Sequence, residues 1–532
     1  MSAAVSTSAA RRSSTPPPSG DRWGRVLRSE WTKFRTVRGW MIGLLSALAL
    51  CATFTFLVAN GSHEGGCFGP PSASGPNSPG SDCYTGHPFV PTGPSGEAVA
   101  DSYQFVDRPL TGNGTLTARV TSLTGLISTN PRNEAPSLAN TRPGLAAWAK
   151  AGLMITPSTR QGSPYAAVMT TPGHGIRFQH DYTHDEPGQP GSVSASGPRW
   201  LRLTRFGDTV TGYDSLGGGR WTEVGSTRLA ALPATVDVGL FVTSPVTYDG
   251  APSQATAILD HVTLNGHPGV SGWGSHPIGN DPRNYYPTLG AGSYQRVGDL
   301  FRLTGSGDIA AAVALAGGDT ASTCLLLGLS VALIALIVVA AMFITGEYRR
   351  GLIRTTFTAT PHRRHVLAAK ALVIGTITFA IGALGAAVGV PLGNHLLASN
   401  GNYVFPASTL TIGRIILGSG ALVALTAVAV LALGTILRRS AGAVTAGIIV
   451  FIVPYLIGSM SGDGAGTWLF RFTPAAGFSV LGILPRSATV SYPYTFANGY
   501  YPVSPLAGLA VLCLYTAGAL GVAALLVTRR DA

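Results

Sequence analysis

The chain is predicted to be a polytopic α-helical membrane protein with six transmembrane helices and an all-β sandwich inserted outside the membrane after the first of them. Three observations predict this. Six long apolar runs contain no Asp, Glu, Lys, Arg or His. Between the first and second runs, residues 60–318 are polar, rich in Gly and Pro, and broken into short alternating segments. Only 11% of the 532 residues are charged and 45% are hydrophobic, whereas a soluble chain carries about 25% charged residues.

The runs are Met41 to Val58, Ser322 to Thr345, Ala371 to Leu392, Ile415 to Leu437, Ala441 to Met460 and Pro505 to Val527. Each approaches or exceeds the roughly 20 residues a helix needs to cross about 30 Å of hydrocarbon. Basic residues precede the first run, and Leu48-Ala49-Leu50-Cys51 looks like a lipoprotein cleavage box. Leu50 is too large for the position before the cysteine, and the run stays apolar through Val58, so a retained helix is expected.

The net charge of +12 raises the question of nucleic acid, and its distribution answers it. Segments 1–40, 346–370, 438–440 and 528–532 together hold 18 Lys/Arg against Asp21, Glu30, Glu347 and Asp531, which leaves 18 Lys/Arg and 20 Asp/Glu for everything else. All excess basicity sits in short segments beside the apolar runs. That is the positive-inside pattern of a cell-membrane protein with both termini cytoplasmic and residues 60–318 extracellular. No nucleic-acid partner is expected; the bilayer is.

Residues 1–20, mostly Ser, Ala, Pro and Arg, are expected to be a disordered cytoplasmic tail. Over 21–40 the spacing predicts an amphipathic helix in the membrane interface, with Trp23, Val26, Leu27, Trp31, Phe34 and Val37 on one face and Arg22, Arg25, Arg28, Lys33 and Arg35 largely on the other. The first transmembrane helix takes 41–59. Residues 60–94 are a Gly/Pro-rich linker carrying Cys67 and Cys83. These two stand on the oxidising side, so a disulfide between them is expected, worth roughly 3 kcal/mol in the loop-entropy account. Cys51, Cys324 and Cys513 fall in or beside apolar runs and read as small packing residues. The sandwich is expected over 95–266, from alternating segments such as Trp200 to Arg205, Thr209 to Tyr213 and Val236 to Val242 separated by turns such as Phe206-Gly207-Asp208. A returning linker over 267–320 leads to helices two to six in 321–532, which include a loop over 346–370.

Trp200 to Asp208, Tyr213, Trp221 to Gly225, Trp148 to Ile155 and Asp101 to Val120 resemble, in order, a family of concanavalin-A-like sandwich domains. The resemblance implies a jelly-roll with a glycan-facing surface. Trp148, Trp200, Tyr213 and Trp221 offer flat rings that could stack on sugars, although in a sandwich such rings more often fill the core. The membrane part is similar to the permease subunits of type-2 ATP-binding cassette exporters of the actinobacterial kind. That likeness is carried by Leu27 to Arg38, by Gly346-Glu347-Tyr348-Arg349-Arg350-Gly351-Leu352-Ile353-Arg354-Thr355-Thr356, and by the run from Thr360-Pro361 to Lys370. It implies a dimer with a second, identical or related, permease subunit. Both would sit above separate ATPase subunits. The large domain between the first two spans departs from the family's commonest pattern.

The chain's three lysines, Lys33, Lys150 and Lys370, follow Thr32, Ala149 and Ala369. A phosphate-binding loop needs Gly before its lysine, so this chain cannot build one, and ATP hydrolysis would fall to another subunit. Glu347, Arg349, Arg350 and Arg354, within about three helical turns of the second run, are the expected charge contacts to that subunit. Ion-coupled transport is disfavoured, because the runs offer no ionisable group to bind the ion. His174, His180, Asp181, His184 and Asp185 lie close together but read as a solvated hairpin, not a metal site. Asp208, Asp214 and Glu223 do not form the carboxylate pair a glycosidase requires. No cofactor and no catalytic residue is expected. The reading that follows is an ABC exporter permease coupled through 346–370; its rival is a non-transporting anchor that presents a glycan- or protein-binding sandwich.

Overall fold

The computed structural model describes residues 20–62, 67–68, 82–83, 91–129, 140–191, 193, 197–247, 251–269, 272–279, 292–311, 321–359, 362–460, 465–483, 489–490 and 500–529. The tail expected to be disordered lies, Gly20 apart, outside them.

The helical part contains α1 (Gly20–Thr36), α2 (Arg38–Gly61), α3 (Ala321–Arg349), α4 (Leu352–Ala359), α5 (Arg363–Ser399), α6 (Thr409–Leu437), α7 (Ser440–Phe451), α8 (Val453–Met460), α9 (Ala465–Phe472) and α10 (Pro505–Arg529). Six of its helical stretches are long and apolar enough to cross a membrane: Arg38–Gly61, Cys324–Arg349, Arg363–Ser399, Thr409–Leu437, Ser440–Ser459 and Pro505–Arg529. They overlap the six apolar runs one for one. Two of them, in α3 and α6, form the centre of the bundle, with 72% and 67% of their most apolar stretch buried against 22–33% for the others. Helix α2 packs on α3 and α5, and α6 packs on α5 and α10. The fifth stretch breaks at Ile452, where Pro454 lacks the N–H that would bond back to Val450.

Between α8 and α10 the chain does something the apolar runs do not announce. Helix α9 is followed by a 3-10 helix, Pro474–Leu481, every residue of which is buried. It inserts beside α6 and α10: an added Cβ at Gly477 would stand 2.9 Å from both Leu422 and Leu512.

The β part is antiparallel throughout. Its strands are β1 (Cys67–Phe68), β2 (Asp82–Cys83), β3 (Val99–Asp101), β4 (Tyr103–Ser128), β5 (Thr141–Pro143), β6 (Lys150–Thr156), β7 (Ala166–Thr171), β8 (Gly175–His180), β9 (His184–Pro187), β10 (Arg199–Phe206), β11 (Thr209–Ser215), β12 (Thr222–Arg228), β13 (Thr235–Thr243), β14 (Ser253–Pro268), β15 (His276–Ile278), β16 (Gly292–Val297), β17 (Leu300–Gly305) and β18 (Ile309–Ala311). One 14-stranded sheet runs β12-β11-β10-β4-β13-β6-β7-β8-β9, with β14 also on β4 and carrying β17 and β16. The long β4 is the spine. Its first half pairs with β13 and its second half with β10 and β14, and the register shifts where Gly112, at φ +70°, stands beside Asn113. The sheet thus folds over a core that includes Leu116, Val168, Phe178, Leu203 and Leu240. Gly212 of β11 crosses the core so closely that a Cβ there would lie 2.6 Å from Phe178.

Strands β15 to β18 pair within this domain, in the stretch expected to be a returning linker. Both chain connections to the helices meet in β3 and β18, which pair with each other. The turn from α5 to α6 then ties the two parts together. The Tyr403 hydroxyl donates across to the Gly96 carbonyl at 2.7 Å, while Asn400 and Asn402 hold the end of α2, donating to the Ser62 carbonyl at 3.2 and 2.9 Å.

Candidate functional site

At the end of the bundle that bears residues 346–370, four charged side chains meet. Helix α1 presents Leu27, Glu30 and Phe34 to the bundle at helical spacing, with Phe34 1% and Glu30 1% exposed. Helix α3 brings Phe343 and Glu347 one turn apart, and α5 brings Lys370. The Lys370 ammonium is fully enclosed. It donates to Glu30 Oε2 at 2.6 Å and Glu347 Oε1 at 2.7 Å, and it stands 4.6 Å from the Phe343 ring centroid. Lys33 bonds Glu30 Oε1 at 2.7 Å and reaches Glu347 Oε1 at 3.4 Å and Thr356 Oγ1, on α4, at 3.5 Å. Phe34 meets Phe343 edge to face at 5.3 Å.

Two ammonium groups and two carboxylates make the cluster neutral, which is what permits its burial, since an unpaired ion there would carry the full desolvation cost. Burial alone would lower the Lys33 pKa, but the bonds and charges of Glu30 and Glu347 outweigh it and hold the group above its ordinary value. Lys33 therefore stays charged through the physiological range. The quartet ties α1, α3, α4 and α5 together.

Further contacts close the same end. Thr345 and Ser440 share a hydrogen bond at 2.8 Å, the Arg438 guanidinium lies 5.3 Å from the Tyr348 ring, and Arg363 donates to the Val527 carbonyl at 3.2 Å. Of the residues expected to reach a partner, Arg349 and Arg350 are exposed at the end of α3. Glu347 points inward into the quartet. Arg354 lies on α4, and its side chain is outside the described residues. On α1, Leu27 packs on the bundle and Phe34 is buried, whereas Trp31 is exposed and Trp23 leaves only an edge against His365 at 5.7 Å.

Sequence reasoning missed Glu30, Lys33 and Lys370 as one site. A signal was present: Glu30 falls within the apolar arc of α1, between Val26 and Trp23, where a lone carboxylate demands a buried cation.

In the β domain, three of the four expected glycan residues share the outer face of β10 to β12. Trp200 and Arg202 alternate with the core residues Leu201 and Leu203, Tyr213 stands opposite Arg202, and Trp221 lies against Arg202. Trp148 is elsewhere, 6% exposed and stacked on His174 at 3.8 Å. His180 and His184 stack at 4.3 Å, and Asp185 is held by Arg177 and Gln179. Among the described residues no three His, Cys, Asp or Glu side chains gather as a metal site. Asp208 faces Arg228 at 3.6 Å and Asp214 faces Arg199 at 3.6 Å, while Glu223 stands opposite Tyr213. The backbone sets Cys67 directly across from Cys83; their side chains lie outside the described residues.

No family model matches the chain, and no curated protein matches it. Solved structures resemble parts of it. A functionally unknown protein from Saccharomyces cerevisiae is 14% identical, covering 34% of this chain and 84% of its own, with a TM-score of 0.20. Scytalido-glutamic peptidase with a transition state analog inhibitor is 8% identical, covering 38% of this chain and 98% of its own, with a TM-score of 0.23; the same enzyme with a peptide-based analog gives the same values. At these TM-scores neither likeness bears on what this chain does.

Proposed function

We propose that this chain is the membrane-spanning permease subunit of an ATP-binding cassette exporter, taking its ATP hydrolysis from a separate subunit docked on residues 346–370. The carrying observation is the charged quartet, in which Lys370 and Glu30 are sealed and Lys33 stays partly exposed. It joins the interfacial helix α1, the end of α3, the loop helix α4 and the start of α5, so a push on the loop is passed to two long apolar helices. Six apolar helices without an ionisable group in their central runs, and three lysines none of which follows Gly, agree with an apolar or amphipathic path driven from outside the chain. Both termini and the quartet are cytoplasmic in this reading, residues 60–318 are extracellular as a jelly-roll of the concanavalin-A-like kind, Cys67 and Cys83 are bridged, and a second permease subunit completes the path.

Co-expression with a genomically adjacent ATPase tests the proposal. Wild type should retain that ATPase on purification and stimulate it. Arg349→Glu with Arg350→Glu should release it, because those arginines face outward. Glu347→Gln should leave it bound but less stimulated, because Glu347 acts inside the chain. Absence of any associated ATPase, or stimulation unchanged in both variants, overturns the proposal. Topology is checked by single-cysteine labelling of intact cells: a probe replacing Thr204 should react and one replacing Arg364 should not.

A further inference from the structure

The outer face of the β domain holds an arginine, Arg202, that stacks on a tryptophan and meets no carboxylate among the described residues. Four arginines of the domain pair with a carboxylate: Arg119 with Asp260, Arg177 with Asp185, Arg199 with Asp214 and Arg228 with Asp208. Arg205, buried, donates to the carbonyls of Gly207, Pro233 and Ala234. Arg202, like Arg296 over Phe301, is held by an aromatic ring. Its guanidinium lies over Trp221, 3.8 Å from the ring centroid, and its Nε donates to Thr117 Oγ1 at 3.3 Å. Among the described residues no carboxylate meets it. The ring and the threonine hold the guanidinium in place, and its two terminal nitrogens remain as a fork on a partly exposed face. Such a fork matches the two oxygens of a carboxylate or phosphate.

Its surroundings are equally specific. Trp200, two residues along the same strand face, and Tyr213, directly across the ladder, flank it. Thr204, Thr211 and Ser226 continue the face, the last two sharing a hydrogen bond at 2.8 Å. Nearby, Arg119 is consumed by the two bonds it donates to Asp260, at 2.7 and 2.5 Å, so it adds no free charge. One oxyanion seat set among hydroxyls and flat rings fits a polymer that carries both hydroxyls and spaced negative charges.

We infer that this face binds an acidic, hydroxyl-rich polymer, with Arg202 stacked on Trp221 as the seat for its carboxylate or phosphate, and with Trp200 and Tyr213 against its backbone. The face also carries an exposed carboxylate, Glu223, opposite Tyr213 and one strand beyond Arg202's own neighbour, so an anion is seated at the Arg202 end: the hydroxyls would hold the sugar or polyol, and Arg202 would select for charge. The inference does not depend on the permease reading, because it concerns the β domain alone.

The test uses the full chain in nonionic detergent and three immobilised probes: oligogalacturonate, poly(glycerol phosphate) and neutral dextran. Binding is expected to one or both anionic probes and not to dextran, and it should weaken as salt rises from about 50 to about 300 mM. Retention of galacturonate alone identifies a carboxylate polymer, and retention of poly(glycerol phosphate) alone a phosphodiester one. Arg202→Gln should weaken binding about ten-fold or more, and Arg202→Lys should recover only part of it, because the charge returns without the fork. Trp221→Ala should weaken binding while leaving the thermal midpoint near that of wild type. Failure of wild type to bind either anionic probe, equal binding to dextran, or unchanged binding by Arg202→Gln overturns the inference.

Discussion

Lys150 and Lys370 are both completely enclosed, yet the β domain and the helix bundle satisfy them in opposite ways. In the β domain, Lys150 at the start of β6 donates to Asp308 Oδ1 at 2.7 Å and to the Ile309 carbonyl at 2.5 Å. This is one cation, one acid and one carbonyl, and Asp308 keeps 15% of its side chain exposed. In the bundle, Lys370 answers two carboxylates from two other helices, and one of them, Glu30, has no outlet to water at 1% exposed, although Glu347 at 12% resembles Asp308. The first arrangement is a local clasp that pins a strand end beside the returning chain at β18. The second is a junction on which distant segments depend together. A buried ion pair earns little net stability when intact, but its loss is costly in proportion to how thoroughly the remaining charge is sealed in.

The largest expected effect follows from that difference. Lys370→Met leaves two carboxylates buried against one another with only Lys33 beside them, and should cost about 3–5 kcal/mol, read as a fall in the thermal midpoint of the helical signal in detergent. Adding Glu30→Gln and Glu347→Gln to it should restore most of the loss, because no carboxylate is then sealed in and the remaining charge, on Lys33, keeps 41% of its side chain exposed. A single substitution as mild as the triple would mean that water reaches the cluster.

Lys150→Met should cost less, about 1–3 kcal/mol, because Asp308 can turn to water while only the Ile309 carbonyl loses a donor. Equal destabilisation by Lys150→Met and Lys370→Met, in matched melts, would erase the contrast between clasp and junction.

Next comes a pH effect confined to the β domain. Asp101, 4% exposed on β3, accepts from the Gly162 N–H and the Tyr182 hydroxyl, each at 2.8 Å. Burial pushes its carboxyl up to about 7 from 3.8, against the opposing pull of those two donors. A carboxyl raised on folding binds its proton more tightly in the native state. Its contribution is therefore complete below about pH 4 and is lost as pH rises through about 7. The wild-type midpoint of the β domain should fall between pH 5 and pH 8 by more than that of Asp101→Asn, which keeps both acceptor bonds and cannot titrate. Parallel pH profiles in the two proteins would show that Asp101 is ionised throughout.

What was legible in the sequence follows the same division. The six apolar helices could be read because nothing but length and the absence of charge was needed. The alternation of Trp200 to Arg205 was equally plain, since buried and half-buried residues alternate along β10 as the strand period requires. The 26-residue β4 was not, because Pro109, Gly112 and Gly114 punctuate it like a turn, and only its pairing with β13 and β14 carries it through. Strands β15 to β17 hid in a Gly- and Pro-rich stretch for the same reason. Pro474–Leu481 is too short to show a period, and its burial is imposed by α6 and α10. In the candidate site, Glu347 was visible, but its partner was sought on another protein; Glu30 and Lys370 lie 340 positions apart, and no local pattern joins them.

The smallest expected effect lies where charge is paired but not sealed. Arg119 and Asp260 make two hydrogen bonds across β4 and β14, but Arg119 keeps 29% of its side chain exposed. A pair so placed is worth about 0.2–1 kcal/mol, since either partner can return to water. The Arg119 hydrogen bond holds the Asp260 carboxyl below its ordinary range against the upward push of burial, with His261 adding to the effect. A carboxyl lowered on folding contributes stability above about pH 4 and loses it as pH falls further. Arg119→Gln should therefore lower the β-domain midpoint slightly at pH 7 and less at pH 3, and a cycle with Asp260→Asn should isolate the pair. A loss as large as that of Lys150→Met, or one independent of pH, would mean that Arg119 holds this face through its packing on Trp200, 5.6 Å away, and not through its charge.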